Sequence, residues 1–433
     1  MRKTLKILLV ALLPFCVEAV SVALGGQHSC ALLSNGRVMC WGRNNYGQLG
    51  DESVDDRTTP VEVSGLTKVK SIALGNDHSC ALLRNGKVMC WGYNNMGKLG
   101  DGTTSARIFP VEVLGMSNAK SIAVGASHSC ALLTDGKVMC WGSNYYSTLG
   151  TKWLIKTDKG DKHFHWSTSP VEVSGLTNVK SIALGGSHSC ALMTDGKVMC
   201  WGNNGNGQLG NRGSYSETPL EVSGLTNAKS IALGASHSCA LLTDGKVMCW
   251  GNPSSFDYDS EDPIRTPRKV TGISNVQSLS LGFAHSCALL TDGRVMCWGD
   301  GGRRGGSGTL GVIGSSNRPS TPLEVTGIAT ATGIAVGAYH SCALLTDGKV
   351  MCWGQNNYGQ IGDKTTDNKI LRVEVLGLTL AKSPRPTSRP THLGYSALST
   401  IVLSSIIMSF LYLLSLLLRQ LYPRDKFRGS MPV

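Results

Sequence analysis

The chain has 433 residues, 41% hydrophobic and 16% charged, with 15 cysteines and a formal net charge of +12. That length and apolar content exclude a disordered chain and a small scaffold held by cross-links alone. Much of the charge sits at the ends. Without Arg2, Lys3, Lys6 and Glu18 at one end and Arg419, Arg424, Asp425, Lys426 and Arg428 at the other, the remainder carries +7, with no compact basic patch interleaved with aromatics, so no nucleic acid is expected as a partner.

At the N-terminus, Arg2, Lys3 and Lys6 precede the apolar run from Ile7 to Phe15, and Val17-Glu18-Ala19 has the small-residue spacing of a signal-peptidase site. Residues 1–19 are therefore expected to be a signal peptide whose cleavage removes Cys16. From there one motif dominates. "HSCALLSNGRVMCWG" (28–42) recurs with starts at His28, His78, His128, His188, His237, His285 and His340, separated by 48 to 60 residues. A period near this length, with no long helical pattern between copies, means stacked or radially arranged units. Seven of them suggest a ring.

Within a copy, the apolar runs Cys30–Leu33 and Val38–Trp41 flank Ser34-Asn35-Gly36, a hairpin signal with Gly at the loop position that needs positive φ. A three-residue loop sets Leu32 opposite Val38, Ala31 opposite Met39 and Cys30 opposite Cys40, the last as a non-hydrogen-bonded pair whose side chains approach closely. The register predicts seven cross-strand disulfides: Cys30 with Cys40, Cys80 with Cys90, Cys130 with Cys140, Cys190 with Cys200, Cys239 with Cys249, Cys287 with Cys297, and Cys342 with Cys352. Buried free thiols are the alternative, and an oxidising compartment favours the bridges. A zinc site built from one such pair and the nearby His would lack a fourth ligand.

A short strand such as "SIALG" (71–75) precedes each hairpin, and "PVEV" (60–63) precedes that, so the expected unit is a four-stranded blade in this order. The hairpin strands are apolar on both faces, as a sheet sandwiched between neighbours requires. By this grouping the first unit lacks "PVEV", while "RVEV" (372–375) follows the last hairpin, and the spare strand is expected to complete the first blade and close the ring.

The units "GGQHSCALLSNGRVMCWGRNNYGQLG" and "GNDHSCALLRNGKVMCWGYNNMGKLG" resemble repeats of the regulator of chromosome condensation (RCC1-like) family. The resemblance covers residues 21 to about 378 and implies an all-β fold, a seven-bladed β-propeller. It also implies a range of activities carried on the ring surface, among them nucleotide exchange on a small GTPase and ultraviolet sensing. The positions before each His (Gln27, Asp77, Ser127, Ser187, Ser236, Ala284, Tyr339) lack the tryptophan and arginine run of the light sensor. Exchange activity requires a cytosolic ring and is the alternative function. The repeated His and Trp read as structural, the His tying neighbouring strands and the Trp filling space between blades.

Function is expected where the copies differ. "TKWLIKTDKGDKHFHW" (151–166) lengthens the exit of the third unit and offers Trp153, Lys156, His163, Phe164, His165 and Trp166 as candidate partner-binding residues, with a self-packed loop as the alternative. His163 and His165 are too few to hold a metal. "FDYDSED" (256–262) lacks the glycine of a calcium loop, and "DGGRRGGSGTLG" (300–311) follows no strand-to-helix context, so it reads as a connection rather than a phosphate cradle. No nucleophile, base and orienting group can be assembled, so neither catalytic residues nor a cofactor nor a metal site is expected.

Beyond residue 378, "SPRPTSRPTH" reads as an extended linker within 379–396. Ala397–Leu418 is an uncharged run of 22 residues, long enough for one transmembrane helix, and the basic tail 419–433 places itself in the cytoplasm by the positive-inside rule. The sequence therefore describes a single-pass type I membrane protein. Its propeller, 20–378, is expected outside the cell or in a lumen, monomeric, and binding an unknown protein ligand through variable inter-blade loops.

Overall fold

Each His-Ser-Cys copy folds into the expected hairpin. In the first, His28–Leu33 pairs with Val38–Gly42, placing Cys30 opposite Cys40, Ala31 opposite Met39 and Leu32 opposite Val38. Gly36, at φ 82°, donates its N–H to the Leu33 carbonyl at 2.9 Å and closes the loop, a left-handed position where a side chain would be strained. The register repeats in all seven hairpins, and the seven Cys pairs are bridged at Cα separations of 4.1–4.2 Å.

The computed structural model describes residues 18–151, 156–157, 160–161, 165–256, 262–301, 308–312, 319 and 321–378. Contacts divide the chain at Leu380. The second unit, Ala381–Val433, lies outside the described residues, as do residues 1–17, so the expected linker, apolar span and tail are not described, and of the expected leader only Glu18 and Ala19 are, the latter opening the first strand. No helix among the described residues is long and apolar enough to cross a membrane.

Seven antiparallel four-stranded sheets make the seven blades. The first contains Ala19–Leu24, His28–Leu33, Val38–Gly42 and Arg57–Glu62 in that spatial order. This corrects the expected grouping: "PVEV" belongs to the hairpin before it, with Met39 opposite Glu62 and Cys40 opposite Val61, and not to the hairpin after it. The chain leaves the third strand, returns along its free edge, and only then crosses to the next blade.

The seam is corrected with it. The seventh blade is complete from its own residues, Ala331–Val336, His340–Leu345, Val350–Gly354 and Lys369–Glu374, so "RVEV" is not lent to the first. The ring closes by packing blade against blade. Inner strands line the axis, and the core lies between blades. One face of the first hairpin, with Cys30, Leu32, Val38 and Cys40, packs against Ala81 and Trp91 of the second blade. The other face, with Ala31, Leu33 and Trp41, packs against Cys342, Leu344, Val350 and Cys352 of the seventh. Each boundary so described sets a disulfide against the next blade's tryptophan, and all seven repeat tryptophans are fully buried.

The irregular parts are the variable exits. In the third, Lys156–Thr157 and Gly160–Asp161 pair as a two-stranded sheet. In the sixth, a long connection leaves a fourth strand of only two residues, Leu323–Glu324.

Candidate functional site

The repeated histidines tie neighbouring blades, not the neighbouring strands expected from sequence. His28 Nε2 lies 2.9 Å from Ser79 Oγ of the next blade, and the series continues through His78–Ser129, His128–Ser189, His188–Ser238, His237–Ser286 and His285–Ser341 to His340–Ser29, which closes the circle. Ser79 Oγ donates its only proton to the Gln48 carbonyl at 2.9 Å, so it accepts from His28, which is therefore the neutral Nε2–H tautomer. Trp91 Nε1 donates to the same carbonyl at 2.9 Å. Burial lowers the His28 pKa to about 3, and six of the seven Nδ1 atoms have no partner. Such an imidazole is a strut and not an acid or base.

One boundary is incomplete. Between the fifth and sixth blades His237 still meets Ser286, but Trp298 Nε1 has no acceptor. The fifth exit reads Asn252-Pro-Ser-Ser-Phe256, without the Leu-Gly or Ile-Gly pair that elsewhere follows the residue supplying the carbonyl, which is Gln48, Lys98, Thr148, Gln208, Thr309 or Gln360.

Around the axis, the inner strands end in glycines that nearly touch. A Cβ at Gly25 would lie 2.5 Å from the Gly75 carbonyl oxygen, which is why no side chain is tolerated there. Gly26 N–H donates to the Gly75 oxygen at 3.1 Å and Ala338 N–H to that of Gly25 at 3.2 Å. An open depression of about 180 Å³ at this end of the axis is lined by these glycines, by apolar residues that end the inner strands, such as Leu24 and Leu74, and by Asn76 and Phe283. Among the described residues, no three His, Cys, Asp or Glu side chains gather as a metal site.

The exit loops share the face at this end, because each begins hydrogen-bonded to the residue before a repeat histidine: Arg43 N–H to the Gln27 oxygen, Tyr93 N–H to Asp77, Ser143 N–H to Ser127 and Gln355 N–H to Tyr339. Aromatic and cationic side chains meet across blades there. Arg43 sits 5.0 Å over the Tyr358 ring of the seventh blade and Tyr46 stacks on Tyr93 of the second at 4.2 Å, while Lys98 Nζ, from the same exit as Tyr93, lies 4.6 Å from the centre of its ring. Burial lowers the pKa of Lys98, and Asp77 works against that shift. At the rim of the axis Phe283 and Tyr339 pair at 5.6 Å, and both are well exposed. A cavity of about 310 Å³ opens between the third and fourth blades, lined by Met96, Tyr145, Tyr146, Ser127 and Ser187. Ser147 holds a positive φ of 62° there, where Gly47, Gly207 and Gly359 serve in other blades, and Tyr146 beside it holds 59°, as Met96 at the matching position of the second blade holds 63°.

Of the residues singled out on the 151–166 segment, two are described. His165 stacks on Tyr145 at 4.8 Å, its carbonyl accepts from Asn144 N–H at 2.6 Å, and Trp166, 39% exposed, opens the fourth strand of the third blade. Trp153, His163 and Phe164 lie outside the described residues, as does the side chain of Lys156. The tyrosines were missed. The signal that could have found them is the variable pair in "NNYG", "NNMG" and "NYYS", which sits between fixed residues of the repeat.

Comparisons with known proteins agree with this architecture. The human E3 ubiquitin-protein ligase HERC2 is 40% identical over 53 residues, which span 12% of this chain and 1% of that protein. Among solved structures, human WBSCR16 superposes with a TM-score of 0.68 at 21% identity, covering 78% of this chain and 93% of that one. Yeast RCC1 (Prp20), crystallised with Kap60, gives 0.67 at 21% identity, covering 83% and 85%. A model of the RCC1-like domain matches residues 8–229, and one of the regulator of chromosome condensation (RCC1) repeat matches 228–256, 276–305 and 331–360. With the first model alone reaching across half of the chain, and the repeat model continuing where it stops, the chain belongs to the RCC1-like domain family.

Proposed function

We propose that this propeller is a membrane-anchored, extracytoplasmic binding module that takes a protein ligand on the face of its exit loops. The observation that carries the reading is the concentration of exposed and stacked aromatics on that one face, which His165 and Tyr145 connect to the unique 151–166 segment. Aromatic side chains on loops held by a rigid scaffold are the usual anchors of protein recognition. The seven closed disulfides support an oxidising compartment, and the leader and the apolar run 397–418 support a single anchored pass with the tail inside. The competing reading, an exchange factor for a small GTPase, needs the ring in the cytosol, where such cross-links do not persist.

One preparation tests both halves. In intact cells, a membrane-impermeant amine label should reach the ring while an epitope at Val433 stays protected until the membrane is opened. A ligand cross-linked to the wild-type ring should be lost from Tyr145→Ala/Tyr146→Ala with an unchanged melting temperature. A labelled tail with a protected ring sinks the topology and favours the exchange factor. Undiminished cross-linking by the double variant removes the aromatic face as the binding surface.

A further inference from the structure

The opposite end of the axis carries a separate arrangement. There the innermost strands begin, and the second residue of each is exposed: Lys70, Lys120, Lys180 and Lys229 in the second to fifth blades, against Val20, Gln277 and Thr332 in the others. Lys70 Nζ lies 3.0 Å from the Lys120 carbonyl oxygen and Lys180 Nζ 3.5 Å from that of Lys229, so in each pair the ammonium of one blade reaches the backbone of the next. Most of the hairpin-turn cations on this side of the ring are neutralised, whereas Lys68 and Arg84, exposed beside Lys70 in the second blade, add two further charges without an ion pair among the described residues. Lys87 pairs with Glu112, Lys137 with Glu172 and Lys197 with Glu221, each at 2.9 Å, and Lys349 with Glu374 at 3.0 Å. Among the described residues no ion pair joins the four axial lysines to a carboxylate. Glu18, the acid at the start of the first blade, stands over Gly348 of the seventh instead.

We propose that this end of the axis binds a compact polyanion with clustered phosphate groups. Four like charges in consecutive blades repel one another, and an anion placed among them relieves that repulsion. Because the lysines occupy an arc around an axis and not a row along a groove, their flexible stems can converge on one centre. A compact, multiply charged group fits that geometry better than an extended polymer. Lysine's ammonium is a point charge with three rotatable donors, suited to phosphate oxygens approached from several sides. Asn118, Asn178 and Asn227, exposed two residues before three of the lysines, add neutral amide groups at the rim. The inference is independent of the exit-loop face.

The test is calorimetric titration of the full-length protein in detergent with tripolyphosphate at low salt. One site per chain is expected, weakening as salt rises and about tenfold weaker in Lys70→Gln/Lys180→Gln. Lys87→Gln/Lys349→Gln, which removes the same charge from neutralised pairs, should bind as the wild type does, with melting curves matched across all three. Absent binding, or an equal loss in both double variants, overturns the site. A heparin fragment of equal charge that binds more tightly through the same lysines overturns the compact ligand in favour of a linear one. Phosphatidylcholine vesicles with and without polyphosphorylated inositol lipid identify the source: lysine-dependent recruitment that tripolyphosphate competes away assigns a lipid headgroup, and titration without recruitment assigns a soluble ligand.

Discussion

A histidine that donates from Nε2 inside a sealed boundary can accept a proton only by giving up its place. The folded pKa is about 3 for His28, His188, His237 and His340 and about 4 for His128 and His285, in each case chiefly through burial, and His78 is lowered for the same first reason. In the unfolded chain the value is about 6.5. These depressed values mean that folding stability is unaffected by the histidines above about pH 6.5 and is lost as pH falls from there toward 4 and 3, because the unfolded chain takes up protons that the ring excludes. At pH 5 each contributes a loss of about 2 kcal/mol, so seven together rival the stability of a typical domain. Asp51, Asp101 and Asp363 act in the same direction at lower pH. Burial opposes their shift, but hydrogen bonds from Ser53, Thr103 and Thr365 and from their basic neighbours hold all three below the ordinary carboxylate range. The melting temperature should fall steeply between pH 6 and 4.5 while the disulfides stay closed. A flat profile across that window in differential scanning calorimetry contradicts the neutral-imidazole assignment.

At the scale of the blade, the hairpin and its boundary were unequally legible. The ten-residue spacing of Cys30 and Cys40 about Gly36 admits one useful register, and that register is found. "PVEV" is flanked by connections on both sides, so local sequence does not say which neighbouring edge takes its hydrogen bonds. The His–Ser bonds join residues about one repeat apart, and the last joins His340 to Ser29, so only the closed ring reveals them. The same holds for Arg43 over Tyr358, brought together by closure and invisible to any local pattern. The boundaries also differ in strength in a way a matched pair of variants can read. Trp91→Phe loses a bond to the Gln48 carbonyl, whereas Trp298→Phe removes an N–H that has no acceptor, and the change in volume is the same. Chemical denaturation should find the first more destabilising than the second by about 1 kcal/mol. Equal losses would mean that the indole N–H of Trp91 contributes nothing beyond packing.

For the whole molecule, two ends of one axis carry different chemistry, stacked aromatics at one and unneutralised lysines at the other, on a ring whose core is distributed among its boundaries. That arrangement leaves sequence variation in the exit loops free of the packing that holds the blades. The seam has its own consequence. Ala19 and Leu33 of the first blade share one apolar cluster with Val375 and Leu378 at the end of the seventh, and every blade is contiguous in the chain. The order in which the blades are translated is thus immaterial to their packing. A circular permutant that joins residue 378 to residue 19 through a short Gly-Ser bridge and starts anew in the exposed turn at Gly224, between the fourth and fifth blades, should keep every sheet intact. It should retain seven disulfides by peptide mapping and melt within a few degrees of the parent ring, whereas a propeller closed by a borrowed strand would leave its seam blade in two pieces when recut in that blade. A ring assembled from whole, interchangeable units in this way can grow or diversify by duplication of a single segment, without any change at the point of closure.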